Sequence, residues 1–143
     1  MPRSSPKGEG VPPEAVLQQL RVPLIRAATL AIAGREERVM LIDVGLAGVF
    51  VERAGRLPEG AELRIAFTLP GNASELRARC RAAWYHPAHR ALPSKQLPEG
   101  SGLEFVEVAE ADRRRLREHV IAHCRKAGKA RRFHPSWPRD GER

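Results

Sequence analysis

Leu41-Ile42-Asp43-Val44-Gly45-Leu46-Ala47-Gly48-Val49-Phe50-Val51 holds two apolar, strand-like runs on either side of a short bend that carries one carboxylate and two glycines. Glycine lets a backbone approach a ligand or a neighbouring strand closely, and here it sits between rigid segments, where binding groups are commonly held. Outward from this bend the chain continues in the same style. Leu24 to Ala33 reads as a strand, Gly34-Arg35-Glu36-Glu37 as a turn, Val39 to Val44 as a second strand and Gly48 to Glu52 as a third. In Ala61 to Leu69, residues Leu63, Ile65, Phe67 and Leu69 fall on one face, and Pro70-Gly71-Asn72 ends the run. Leu76, Ala78, Cys80, Ala82 and Trp84 share the packed face of the next strand, with Arg77, Arg79 and Arg81 on the wet face. After a Pro-rich loop, from His86 to about Gly100, Gly102 to Val108 reads as the closing strand.

From about Ala109 to Ala127 the period becomes helical, with Leu116, Val120 and Cys124 four apart beside Ile121, and Gly128 as the stop. Antiparallel strands on short turns followed by one helix predict a mainly β fold, a small barrel or sandwich with a C-terminal helix over its open end. The 143 residues suffice for one domain with a true core. Residues 1–16 read as a flexible N-terminal arm, 17–127 as the folded body and 128–143 as a basic flexible tail.

Bulk composition narrows the function. The formal net charge is +8, with a pI near 10.7, and Arg125 to Arg143 carries +5 of it, so most of the excess belongs to the tail. Cys80 and Cys124 form no Cys-x-x-Cys pair and read as reduced, buried thiols of a cytoplasmic protein. No signal peptide or membrane span is visible, which predicts no membrane insertion. No serine sits in a nucleophile elbow, so no catalytic residue is assigned and no enzyme is predicted. The His119/His123 and His86/His89 pairs lack a completing carboxylate set, so neither a metal nor a cofactor is expected.

Twenty residues before the bend lies Arg21-Val22-Pro23-Leu24. Arg21 followed by Val-Pro, then Asp43 and Gly48 in the bend, resembles the PilZ domain family of bacterial cyclic di-GMP receptors. That family carries an Arg-x-x-x-Arg segment followed by an (Asp/Asn)-x-Ser-x-x-Gly turn. Arg21 matches the second arginine, while Leu17 stands at the first and Gly45 at the serine. The resemblance implies a six-stranded antiparallel β-barrel followed by a C-terminal α-helix. It also implies cyclic di-GMP as the ligand, with Arg21, Asp43, Gly45 and Gly48 as ligand-binding positions. Guanidinium forks suit phosphates and guanine O6/N7, and a carboxylate suits the guanine N1-H and N2-H edge. In an extended segment, side chains four apart leave on the same side, whereas Arg26, five after Arg21, points the other way.

Loss of a guanidinium and a hydroxyl, at roughly 1.5–3 kcal/mol each, weakens affinity by about two to four powers of ten. The reading that follows is a single-domain regulatory module of bacterial second-messenger signalling, acting on a protein partner, with weakened or lost cyclic di-GMP binding. The resemblance implies settings such as motility, surface behaviour or exopolysaccharide control. Arg131, Arg132, Phe133 and Trp137 of the tail are the partner-binding candidates, because arginine and aromatic side chains dominate binding hot spots. The Arg113-Arg114-Arg115 and Arg117 cluster reads as a solvated helix face or a docking patch for an acidic partner. One alternative is a functional receptor using Arg21, Asp43 and Gly48, with Arg3, Lys7, Arg131 or Arg132 replacing the lost contacts. Another is a basic nucleic-acid-binding barrel, against which stands the paucity of exposed aromatics beside the arginine ladder.

Overall fold

The computed structural model describes residues 13–88 and 97–127. A short helix α1 (Glu14–Leu17) leads into strands β1 (Val22–Ile32), β2 (Arg35–Val44), β3 (Gly48–Glu52), β4 (Leu63–Phe67), β5 (Leu76–His86) and β6 (Gly100–Val108), and helix α2 (Glu110–Ala127) follows. The strands close into a barrel in the order β1-β2-β3-β6-β5-β4, every pair antiparallel. The expected six-stranded barrel with a C-terminal helix is the fold observed.

Alternation puts Leu63, Ile65 and Phe67 of β4 into the core together with Leu30, Leu41, Val49, Val51 and Leu103 of other strands. Leu116, Val120 and Cys124 form the apolar stripe of α2 and are fully buried in that same cluster. Both cysteines are free and buried, and burial pushes the Cys80 thiol up to about 12.

The first hairpin differs from expectation. Ile32 pairs with Arg35, so the loop is only Ala33-Gly34, with φ of 49° and 82°. Positive φ at both positions is the type I′ geometry whose twist matches the flanking strands. Arg35, Glu36 and Glu37, read from sequence as turn, continue β2.

Bulges break the alternation where the sequence looked regular. Between Ala82 and Trp84 of β5 one residue is extra, because Ala82 faces Leu103 and Trp84 faces Gly102. Ala82 packs on the core, and the extra residue turns Trp84 to the outer face, which corrects its assignment to the packed side. A bulge between Arg79 and Cys80 adds Val106 on β6, and one between Pro23 and Arg26 adds a residue on β1 beside Ile25. Those insertions account for two of the large apolar side chains left exposed, Val106 and Ile25.

Candidate functional site

The bend between β2 and β3 is stitched by its own backbone. Gly45 N donates to Gly48 O at 2.9 Å, and Phe105 N of β6 donates to Ala47 O at 2.9 Å. Gly48 lies so near β6 that a Cβ there would stand 2.1 Å from Leu103 O. Its lack of a side chain therefore serves strand packing. Gly45 is pressed against the peptide entering the barrel: its Cβ would meet Leu20 O at 2.3 Å and Arg21 Nη1 at 2.6 Å. The two sequence-distant pieces of the motif are thus in direct contact.

A fourth bulge, between Leu41 and Asp43, resets the register of β2 against β3. Val44 lies in the core cluster, so Asp43 beside it faces outward. Arg21 Nε and Asp43 Oδ1 face each other at 4.0 Å, with side chains only 11% and 9% exposed. Burial works against the Arg21 charge, and the Asp43 carboxylate opposes that effect. The cation and the carboxylate named from sequence therefore sit together, largely buried, on the outer wall.

Leu17 occupies the first position of the arginine pair and ends α1 with no exposed surface, and Leu20, beyond the helix, is equally buried. Both belong to the core cluster. Here only residues 14–17 are helical, and the segment from there to Arg21 is neither helical nor an extended strand. The expectation that positions 17 and 21 leave on the same side therefore fails: Leu17 packs in the core, whereas Arg21 lies beside Asp43. Glu14 clamps α1 to α2: Arg117 Nη2 and Nη1 donate to its two carboxylate oxygens at 2.6 and 3.0 Å. Those bonds, with a further one from Gln18, hold the Glu14 carboxyl down at about 2.

Sequence reading missed the neighbours of Asp43 on the outer face. Asp43 pairs across the strands with Phe50, Phe50 with Gly102, and Gly102 with Trp84. Val49 and Val51 point into the barrel, so Phe50 between them lies on the opposite face beside Asp43, where it is fully buried. The Phe50 and Trp84 rings lie 5.3 Å apart at 31°, and Trp84 meets His86 edge-on at 6.1 Å. A Cβ on Gly102 would stand 2.0 Å from Trp84 Nε1, and one on Gly100 would stand 2.9 Å from Phe50 Cζ. Glycines two apart in a strand signal such a flat bed for rings. Phe50 has no exposed surface and Asp43 almost none, so the part of the row next to the carboxylate packs this wall, and Trp84 is its partly exposed ring.

The other candidates separate by their partners. Arg77, Arg79, Arg81 and Arg64 are paired with Glu75, Glu107, Glu104 and Glu62, which neutralises the ladder. Arg26 donates to Thr68 O and Oγ1 at 2.9 Å and ties β1 to the end of β4. Arg115 binds Asp112 and the Ser74 carbonyl. Among the described residues no group of three His, Cys, Asp or Glu side chains is placed to hold a metal, and no helix is long and apolar enough to cross a membrane. Arg3, Lys7, His89, Arg131, Arg132, Phe133 and Trp137 lie outside the described residues.

A family model described as PilZ domain matches residues 17–122, and the chain belongs to the PilZ domain family. Among solved structures it is similar to the Bacillus subtilis inhibitor of motility, MotI/DgrA, with 17% identity and a TM-score of 0.57, over 77% of this chain and 49% of that one. The PlzA protein of Borreliella burgdorferi, in complex with c-di-GMP, matches at 10% identity and a TM-score of 0.47, over 76% of this chain and 38% of that one. The PilZ domain of CeSA, from a cellulose-synthesizing bacterium, matches at 14% identity and a TM-score of 0.46, over 73% and 97%. The chain spans about half the length of the MotI/DgrA structure. No curated protein sequence matches it.

Proposed function

We propose that this PilZ domain is a non-catalytic regulatory module that acts by contact with a protein partner, its recognition of cyclic di-GMP weakened or lost. The burial of Leu17 carries the reading. Where the family's motif has a guanidinium, this chain has an apolar side chain with no exposed surface, packed in the core. Fully burying a leucine is worth roughly 1.5–3 kcal/mol, so the missing cation has become an anchor that opposes movement of the entering segment. Gly45, at the serine position, adds to this, because a side chain there meets the Leu20 carbonyl. Bacterial second-messenger signalling, with motility, surface behaviour or exopolysaccharide control as its setting, is the family context of the proposal, and the cytoplasm is its place.

A second reading keeps the nucleotide. The proximity of Arg21 to Asp43 favours a receptor that uses Arg21, Asp43 and Gly48. A basic nucleic-acid-binding barrel is not favoured, since carboxylates pair each arginine of the ladder.

Calorimetric titration with cyclic di-GMP tests the choice. We expect no saturation in the low-micromolar range for the wild-type chain. Saturable low-micromolar binding that vanishes in Arg21→Ala decides for the receptor. The double change Leu17→Arg with Gly45→Ser restores the motif but puts a charge in the core and a side chain against Leu20 O. Nucleotide binding by that variant therefore requires residues 14–21 to leave their seat, and its stability is to be measured alongside.

A further inference from the structure

The arginine cluster at the start of α2 divides in the structure. Arg115 is held by Asp112 and Ser74. Arg117 is held by Glu14. Among the described residues Arg113 and Arg114 make no ion pair and no side-chain hydrogen bond, and both are exposed. They line a cavity of about 290 Å³ together with Glu14, Gln18, Leu46, Glu110 and Arg117. The cavity lies between α1, the bend after β2, and α2, so it adjoins the motif without containing Arg21 or Asp43. At the lower edge of the about 300–1,000 Å³ usual for small-molecule pockets, it suits one or two side chains.

Charge decides the occupant. Three guanidiniums face two carboxylates there, and Glu14 is already spent on Arg117. Guanidinium forks recognise carboxylates in pairs of parallel hydrogen bonds. The arginine ladder of β5 offers no equivalent, because each of its guanidiniums already has a carboxylate.

We infer that the α2 face bearing Arg113, Arg114 and Arg117 docks an acidic segment of a partner protein, whose carboxylates take Arg113 and Arg114 and compete with Glu14 for Arg117. The inference rests on the protein-contact reading above and names the surface and chemistry of that contact. Docking then has a structural consequence. Freed from Arg117, α1 is left with Leu17, Leu20 and the Arg21–Asp43 contact as its moorings, so partner binding loosens the segment that abuts the motif bend. By linkage, whatever holds α1 in place weakens docking to the same degree.

Fluorescence anisotropy with a short fluorescein-labelled oligoglutamate peptide, at low salt and on the full chain, tests this. Arg113→Glu with Arg114→Glu is expected to weaken binding by about tenfold or more. Arg77→Glu with Arg79→Glu changes net charge equally on the paired ladder and is expected to leave affinity within about twofold. Glu14→Gln keeps the shape, frees Arg117, and is expected to tighten binding about two- to fivefold. Equal losses in the two double variants would show attraction to net charge alone and overturn the assigned surface. Unchanged affinity in Glu14→Gln would overturn the competition. Circular dichroism of each variant confirms its fold. Low-micromolar cyclic di-GMP binding lost in Arg21→Ala would remove the reading beneath the inference, while the peptide measurement judges the surface alone.

Discussion

Leu17 shows how one side chain changes what a motif can do. In the family's pattern its position projects a cation, whereas here it fills the core. Leu17→Ala is expected to cost about 2–5 kcal/mol of folding free energy, read from the shift of a urea unfolding midpoint at constant slope. A loss below about 0.5 kcal/mol would mean that residues 14–17 are not seated as described. The cysteines report the same packing. Burial raises the Cys80 thiol to about 12 and raises Cys124 as well. An aromatic disulfide reagent at pH 8 is therefore expected to leave both thiols unmodified until denaturant is added, since only a thiolate reacts. Rapid modification of either in the native chain would contradict its burial.

Elements here are joined by turns and bulges whose chemistry can be tested directly. Ala33 holds φ of 49°, a region disfavoured for residues with a Cβ, in front of Gly34. Asn-Gly is the preferred pair for a type I′ hairpin, and Ala33 is exposed. Ala33→Asn is therefore expected to raise stability by about 0.5–1 kcal/mol, seen as a rise of a few degrees in Tm. An unchanged or lowered Tm would argue against the two-residue loop. The bulges carry a different consequence. By turning Asp43 and Trp84 outward, they set a carboxylate and a ring on one wall of the barrel, where strict alternation from Leu41 and Ala82 would point both inward.

At the scale of the whole molecule, α2 couples to the barrel through titratable groups. His119 is partly buried, near His123 and Arg26, and all three influences lower its pKa. The unfolded chain then binds the proton first, so stability is full above about pH 6.5 and falls as pH drops through the lowered folded value. Glu14 acts in a lower window. Its contribution is full above its ordinary value of 4.5 and is lost as pH falls toward about 2. Denaturation midpoints measured against pH are expected to show both declines, with His119→Gln flattening the upper one and Glu14→Gln the lower. An upper decline unchanged by His119→Gln would assign it to another group.

The strand segments, the helix and the core residues were readable in the chain because alternation and helical spacing are local consequences of burying one face. Leu63, Ile65, Phe67, Leu116, Val120 and Cys124 all lie where that logic puts them. The motif residues were readable too, since Arg21, Asp43 and Gly48 stand at fixed spacings. Register insertions were not, because one extra residue in a strand leaves no mark in composition yet reverses every side chain beyond it. For that reason Trp84 and Phe50 joined Asp43 only in three dimensions. The fate of each arginine was equally hidden: which guanidiniums are paired depends on carboxylates brought from strands and helices distant in sequence. A β-barrel with an altered binding motif follows from the local pattern of residues; that Leu17 closes the core, that the β5 ladder is neutralised, and that Arg113 and Arg114 remain open follow only from long-range contacts, because burial and ion pairing join segments that the order of residues does not place side by side.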